Sequence, residues 1–512
     1  MQSVQAQQFC LFFWAVAIVN LSCCAFKPLE TDADIISCQI SQIHLAVGQD
    51  PATQMTVSFA VPYSCPIHNN VTAMITYWEA DSDGSSSNTV QVKYADESDI
   101  KQYNHTSCVY EDMTYISPYF HHVRLDDLKP DTEYVYRCTL HYKTVVYGDV
   151  HFMAEEFSSW QEDATSITRL LGVPLGSRIA ESDELFFETA PIPGDGTKSL
   201  KFALIADYGQ TEASLSTRDL LLDEDVDMIL IAGDLAYANT VNELWDEWFE
   251  LNEELFSKVP TMPAPGNHEV ETDNVTSQIF VPYENRFGSP QIKDAEIGYG
   301  DESTGSHPSS FIGVYDYGNA FYTFSSGLGS FIVLNCYTSS DVGGNQYTFL
   351  VETLEGIDRD VTPWVFVMLH CPFYNTFFAH QNETQTVLMK ENFEEIFVKY
   401  NVNIVFSGHT HAYFRSKPVA FDEVFECGDA PLYIGIGDGG QRGGEIENFL
   451  KRTAEDWVEC RDGSNWSFGT LEVFNSTTAE WTRRLSGVNE WEDYNVGDTW
   501  ERVIIENNYL FC

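Results

Sequence analysis

Phe202-Ala-Leu-Ile-Ala-Asp207 and, one helix-length later, Met228-Ile-Leu-Ile-Ala-Gly-Asp-Leu-Ala-Tyr237 decide the fold. Each begins as a short apolar run with no polar face, which suits a strand covered on both sides, and each ends on an acid at a turn. The same grammar returns in Phe331-Ile-Val-Leu-Asn335, Trp364-Val-Phe-Val-Met-Leu369 and Val402-Asn-Ile-Val-Phe406. Between these runs, residues 214–223, 241–258 and 385–400 space their apolar side chains at three and four, which predicts amphipathic helices. Strands alternating with helices make residues 200–485 an α/β domain.

Working outward, Ala190-Pro-Ile-Pro-Gly-Asp-Gly196 reads as a linker, and before it the pattern is all-β. Alternating runs such as Gln54-Met-Thr-Val-Ser-Phe-Ala-Val61, separated by Asp/Ser/Gly turns, predict a β-sandwich over residues 35–192. The stretch from Tyr119 to Cys138 fits two strands around a Leu128-Lys-Pro130 corner and resembles a fibronectin type III module. Residues 155–184 are long and irregular, fitting either a loop over a cleft or plain surface. Residues 486–512 read as a C-terminal tail.

Composition excludes several classes of function. Against 77 Asp+Glu stand only 27 Lys+Arg, a formal charge of -50, so a basic face for nucleic acid is not expected. With 44% hydrophobic residues the chain is too apolar for an acidic disordered tail, so the charge is spread over folded domains. The apolar run from Phe9, followed by small residues at Cys23 and Ala25, reads as a secretory signal peptide of residues 1–25. No membrane attachment is expected after its cleavage. Sequons at Asn70, Asn104, Asn274, Asn382, Asn465 and Asn475 point the same way, towards an extracellular glycoprotein. Nine cysteines then remain, and close spacing suggests Cys38/Cys65, Cys108/Cys138 and Cys427/Cys460 as bridges. An odd count leaves at least one unpaired, and Cys512 leaves room for a cross-linked homodimer.

The chemistry stands where the apolar runs end: Asp207, Asp234 with Tyr237, Asn267 with His268, His370, and His409 with His411. Open α/β sheets place ligands at the carboxyl ends of their strands. Each piece is weak alone, but five strand ends presenting acids, a phenol, an amide and imidazoles suit a two-metal site. Carboxylate, phenolate and imidazole favour a hard trivalent iron, whereas amide oxygen and imidazole favour a borderline divalent ion. A phenol needs a strong nearby cation to ionise at neutral pH, so a tyrosine ligand argues for high charge. Two such ions, less two carboxylates and a phenolate, leave a positive centre that binds phosphate inside an acidic protein.

The ordered blocks Asp207-Tyr-Gly209, Gly233-Asp-Leu-Ala-Tyr237, Gly266-Asn-His-Glu269, Val367-Met-Leu-His370 and Gly408-His-Thr-His411 resemble those of the purple acid phosphatases, the iron-containing branch of the calcineurin-like metallophosphoesterases. His370-Cys-Pro-Phe-Tyr-Asn375, His411-Ala-Tyr-Phe-Arg-Ser416, Ala430-Pro-Leu-Tyr-Ile-Gly-Ile-Gly-Asp-Gly-Gly440 and Ser467-Phe-Gly469 are similar to the larger, plant-type members. The resemblance implies an N-terminal sandwich followed by two mixed sheets flanked by helices. It also implies a secreted acid phosphatase that hydrolyses small phosphate monoesters with a metal-bound hydroxide. By resemblance, Asp207, Tyr237 and His411 hold Fe(III), while Asn267, His370 and His409 hold a divalent Zn, Mn or Fe. Asp234 bridges them, His380 protonates the leaving group, and His268 stabilises developing charge. An acidic vacuole or the cell wall is the alternative destination.

Three departures stand against the family pattern: Ala206 where glycine is usual, Ala379 beside His380 where a second histidine is common, and the stretch 155–184. Two rival readings share the frame. A phosphodiesterase or nucleotide pyrophosphatase is argued against by Tyr237, and a catalytically dead binding or adhesion protein by the complete ligand set.

Overall fold

In the computed structural model the described residues are 38–65, 72–80, 90–109, 113–146, 173–301, 304–425, 429–441, 448–488 and 493–507. The expected signal peptide, the sequon at Asn70, Cys427 and Cys512 lie outside them. Among the described residues no helix is long and apolar enough to cross a membrane.

The N-terminal half is a two-sheet sandwich. One sheet orders Ser41–Val47, Met55–Val61, Tyr119–Leu125 and Ile100–Lys101; the other centres on the long strand Glu133–Val146. The Leu-Lys-Pro corner is closed by Tyr134, whose hydroxyl accepts from the Lys129 backbone N–H at 2.9 Å. Part of the irregular stretch has a place here, because Val173–Glu181 pairs antiparallel with Glu133–Val146. Residues 155–172 lie outside the described residues.

Two mixed sheets form the catalytic half. The first orders Thr261–Pro263, Met228–Ile231, Leu200–Ile205, Trp466–Val473, Thr478–Gly487 and Thr499–Glu506. The last of these, inside the stretch read as a tail, is the sheet's edge strand. The second sheet has seven strands, including the parallel run Gly329–Val333, Trp364–Met368, Ile404–Ser407 and Leu432–Ile436. The period of two explains why the strand sequences are apolar throughout. Phe202, Leu204, Phe331, Phe366 and Phe406 point into the core between the sheets. Their neighbours Ala203, Ile205, Ile332 and Val367 belong to the core that includes Leu221, Trp245, Trp248, Phe349 and Phe393 from the helices. The predicted helices are Glu212–Leu222, Glu243–Phe256 and Thr384–Lys399. A fourth, Asn345–Gly356, was not anticipated: its buried stripe starts with Gln346, whose amide binds the backbone of Asn335, and the polar residue masks the period.

The cysteine pairing is corrected in part. Cys38 and Cys65 are bonded. Cys108 and Cys138 are both free, the first exposed and the second in the sandwich core. Short spacing in sequence did not bring them together, because the strand carrying Cys138 buries that side chain among Leu140, Ile75 and Phe187. Cys460 is also free, with its thiol 3.1 Å from Glu501 Oε1. Cys336 and Cys371 are buried thiols at the ends of neighbouring parallel strands, the Cys371 N–H lying 3.0 Å from Cys336 Sγ.

Candidate metal centre

The seven expected ligands converge at the carboxyl ends of the strands, in two groups that share one atom. In the first, the Tyr237 hydroxyl lies 3.1 Å from Asp207 Oδ1, 3.3 Å from Asp234 Oδ2 and 3.0 Å from His411 Nε2. In the second, His370 Nε2 lies 3.2 Å from Asp234 Oδ2, 3.3 Å from Asn267 Oδ1 and 3.1 Å from His409 Nδ1. Asp234 Oδ2 faces both. Asp207 and Asp234 are buried, as are His370 and His409, whereas Tyr237, His268 and His411 are partly exposed and mark the open side.

Local backbone explains how short turns aim so many side chains at one place. Asp207, Asp234, Tyr237 and His409 have φ between 51° and 68°, the left-handed region that non-glycine residues adopt only where the surroundings enforce it. The glycines before two ligands are required by close approach. A Cβ on Gly233 would stand 2.4 Å from His370 Nδ1, and one on Gly266 would stand 2.1 Å from Asp234 Oδ1. Ala206, the departure before Asp207, is fully buried, and its methyl occupies space beside Gly408 that only a glycine there leaves open.

The donor set fits a cation pair. Burial, Asp207 and Asp234 together push the Tyr237 phenol well above its usual range, so the polypeptide alone keeps it protonated. Burial alone would raise the Asp234 carboxyl, but His370 and His268 outweigh it and hold the group well below the usual carboxylate range. Carboxylates, imidazoles, an amide oxygen and a phenol that only a strong cation would ionise thus surround two points, a donor set that suits a pair of bound cations.

A supporting ring holds the ligands. His370 Nδ1 lies 2.8 Å from Ala232 O, which leaves Nε2 for the centre. Glu269, quoted in the sequence without a role, is fully buried and accepts from the N–H groups of Asp234, Leu235 and Gly266 at 2.8–2.9 Å. It clamps the two turns that carry Asp234 and Asn267. Burial and the neighbouring Asp234 push its carboxyl up to about 8. Glu383 was hidden inside the sequon Asn382-Glu-Thr. Its two oxygens reach His380 Nδ1 at 2.8 Å and His409 Nε2 at 2.7 Å. Burial works against its charge, but these two bonds bring the carboxyl down to about 2.

His268 and His380 flank the centre from opposite sides. The His268 backbone N–H donates to Asp234 Oδ1 at 2.9 Å, and its Nδ1 lies 2.5 Å from Asn239 Oδ1. His380 has its ring 3.8 Å from that of His409. Ala379, beside it, offers only its carbonyl, which accepts from Asn375 Nδ2. Of the sequons, Asn104, Asn274, Asn382 and Asn475 are exposed. Asn465 is the correction: it is fully buried, with its amide nitrogen donating to Asp462 Oδ2 at 2.9 Å, so a glycan has no room there.

This fold and centre match the family described as calcineurin-like phosphoesterase over residues 142–413. Flanking regions match the purple acid phosphatase N-terminal domain over 40–160 and the iron/zinc purple acid phosphatase-like C region over 430–498. The chain belongs to the purple acid phosphatase family. It is 32% identical over 388 residues to Purple acid phosphatase 23 of Arabidopsis thaliana, covering 71% of each chain. To the Fe(3+)-Zn(2+) purple acid phosphatase 12 of the same plant it is 29% identical, covering 78% of this chain and 76% of the relative. Purple acid phosphatase PPD1 from yellow lupin (Lupinus luteus) shares the fold, with a TM-score of 0.70 at 18% identity over 92% of this chain and 74% of that one.

Proposed function

We propose that this chain is an acid phosphatase that hydrolyses small phosphate monoesters at an Fe(III)–M(II) centre, M being Zn, Mn or Fe. The observation that carries this reading is the pair of donor groups meeting at Asp234 Oδ2, one with a phenol and one with an amide. Asp207, Tyr237 and His411 would hold the iron, Asn267, His370 and His409 the divalent ion, and Asp234 both. When bound, the two ions would supply Lewis-acid charge for the phosphate oxygens and make a water acidic enough to attack in line.

The protein's own groups do the rest. Two imidazoles would act on the phosphate: His268, beside Asp234, and His380, against His409. Because Glu383 engages His380 Nδ1, the proton for the leaving alkoxide is held at Nε2. On the other side the Asn239 carbonyl oxygen accepts from His268 Nδ1 and so fixes the ring, which once protonated would present Nε2–H to the phosphate oxygens as charge develops. The secretory reading is supported by the Cys38–Cys65 bridge and by four exposed sequons. An intact mass that falls on treatment with an N-glycosidase tests it.

The deciding experiment is an absorption spectrum of the native protein with metal analysis. About two metals per chain, one of them iron, and a visible tyrosinate-to-iron band lost in Tyr237→Phe are expected. A colourless, iron-free protein sinks the assignment.

A further inference from the structure

The turn that follows Met228–Ile231 carries strain beyond its ligands. Tyr237, Asn239 and Thr240 have φ of 53°, 51° and 75°, and a β-branched residue such as Thr240 stays in the left-handed region only where its surroundings enforce it. The enforcing group is Glu271, fully buried, whose Oε1 accepts from the Thr240 N–H at 2.6 Å and whose Oε2 accepts from Trp245 Nε1 at 2.7 Å. The N-terminal half closes the other side of the turn. A hairpin of Asn104–Thr106 with Thr114–Ile116 brings Ser107 Oγ to 3.0 Å from Thr240 Oγ1 and His105 Nε2 to 2.9 Å from the Glu271 carbonyl oxygen. Ser107 and His105 are buried, and the Thr106 N–H fastens the hairpin further by donating to Asp273 Oδ2 at 2.6 Å.

Where Glu269 ties the turns of Asp234 and Asn267, Glu271 ties the next residues along the same two segments. These segments are joined at two neighbouring points: the buried contact of Glu271 with Thr240, and the partly exposed contact of His268 Nδ1 with Asn239 Oδ1 at 2.5 Å. Asn239 precedes Thr240 directly, so the buried joint fixes the backbone from which the Asn239 amide reaches His268. Without it the left-handed turn loses the bonds that offset its strain, of about 1–3 kcal/mol per residue. We propose that Glu271, braced by Ser107 of the N-terminal hairpin, is a positioning residue that acts through Asn239 to hold the His268 ring towards the phosphate. This rests on the phosphatase reading. The sandwich is then a working part of the centre as well as its neighbour.

The test is a double-mutant cycle on the holoenzyme, with Glu271→Gln and His268→Ala made singly and together and 4-nitrophenyl phosphate as the probe. Glutamine keeps the volume of Glu271 but sets an N–H where an acceptor stood. Glu271→Gln is expected to lower kcat about tenfold, to leave KM within about twofold and to keep the native metal content. In the His268→Ala background the same change should cost less than about twofold, because the ring that it positions is gone. Amide hydrogen exchange over residues 238–241 of the holoenzyme should quicken in Glu271→Gln, a readout independent of turnover. Ser107→Ala, which removes the brace from the opposite side, should act in the same direction by about twofold, and it carries the cycle if Glu271→Gln does not fold. A full loss in both backgrounds, loss of metal, unchanged kcat or unchanged exchange overturns the positioning role. If the native enzyme cleaves no phosphate monoester, the phosphatase reading itself falls; if it does and the two losses simply add, only the positioning role falls.

Discussion

The metal centre and the seam between sandwich and catalytic domain are both buried polar regions, built on opposite principles. At the seam the chain supplies the partners of its central charge. The fully buried Arg286 donates to Tyr103, to Tyr115 and to Asp246 Oδ1, each at 2.9 Å. Tyr115 in turn donates to Asp246 Oδ2, and Tyr103 to Asn242. His44 and His122 reach the backbone carbonyls of Arg286 and Asn285. At the centre, carboxylates, a phenol and imidazoles converge on two points that share Asp234 Oδ2. A region satisfied by its own chain fixes how domains dock, whereas one left electrostatically incomplete is selective for what completes it.

That contrast can be broken in order of expected effect. Asp234→Ala removes the atom common to both ligand groups; we expect both metals to be lost and kcat/KM to fall about 10³-fold or more. Metal analysis beside kinetics checks it, and a variant that keeps two metals refutes the shared-ligand geometry. Arg286→Ala removes the buried guanidinium from the seam and leaves Asp246 without its buried partner. Stability should drop by about 3–5 kcal/mol in denaturant unfolding, with the metal content of the folded fraction intact. If metal is lost in proportion, the two regions are not independent.

Acidification separates them again. Burial lowers His44 to about 4 and His122 to about 3, with Arg286 adding to the effect on His44 and His44 and Lys101 to that on His122. A histidine whose folded pKa is depressed stabilises the fold fully above its unfolded value of 6.5 and loses that contribution as pH falls, because only the unfolded chain takes up the proton. Between pH 6.5 and 4 each should cost about 3 kcal/mol, read as a fall in the urea midpoint that His44→Gln makes shallower. An unchanged slope in that variant removes His44 from the account. The smallest effect belongs to the support of the centre: Glu383→Gln should lower metal affinity or activity by about 10- to 100-fold while leaving the unfolding midpoint near that of the parent. Loss of stability without loss of metal would make Glu383 a packing residue.

The candidate donors were legible because they follow strand ends within a few residues, and a strand end with a turn glycine, as in Gly233-Asp234 and Gly266-Asn267, is a local signal; their roles came from the family resemblance. The supporting residues were not. Glu383 shares its three letters with a sequon, Glu269 looks like one more acid in a chain that has 77, and nothing local ties Ser107 to Thr240. Cysteine spacing misled for the same reason: Cys108 and Cys138 are close in sequence and remain apart, while Cys336 and Cys371 meet because neighbouring parallel strands are in register.

The sequence by itself determined the two-domain order, the buried strands and the strand ends that carry the candidate donors, since periodicity and turn chemistry act over a few residues; the division into ligand sets came from the family resemblance. Only the tertiary structure decided which acids hold the histidines in place, which sequon is buried and how the sandwich docks. Those depend on contacts such as His409 with Asp207 and Arg286 with Tyr103, made between residues 202 and 183 positions apart. No local pattern encodes pairings of that range, because they are set by which surfaces the packed sheets bring face to face.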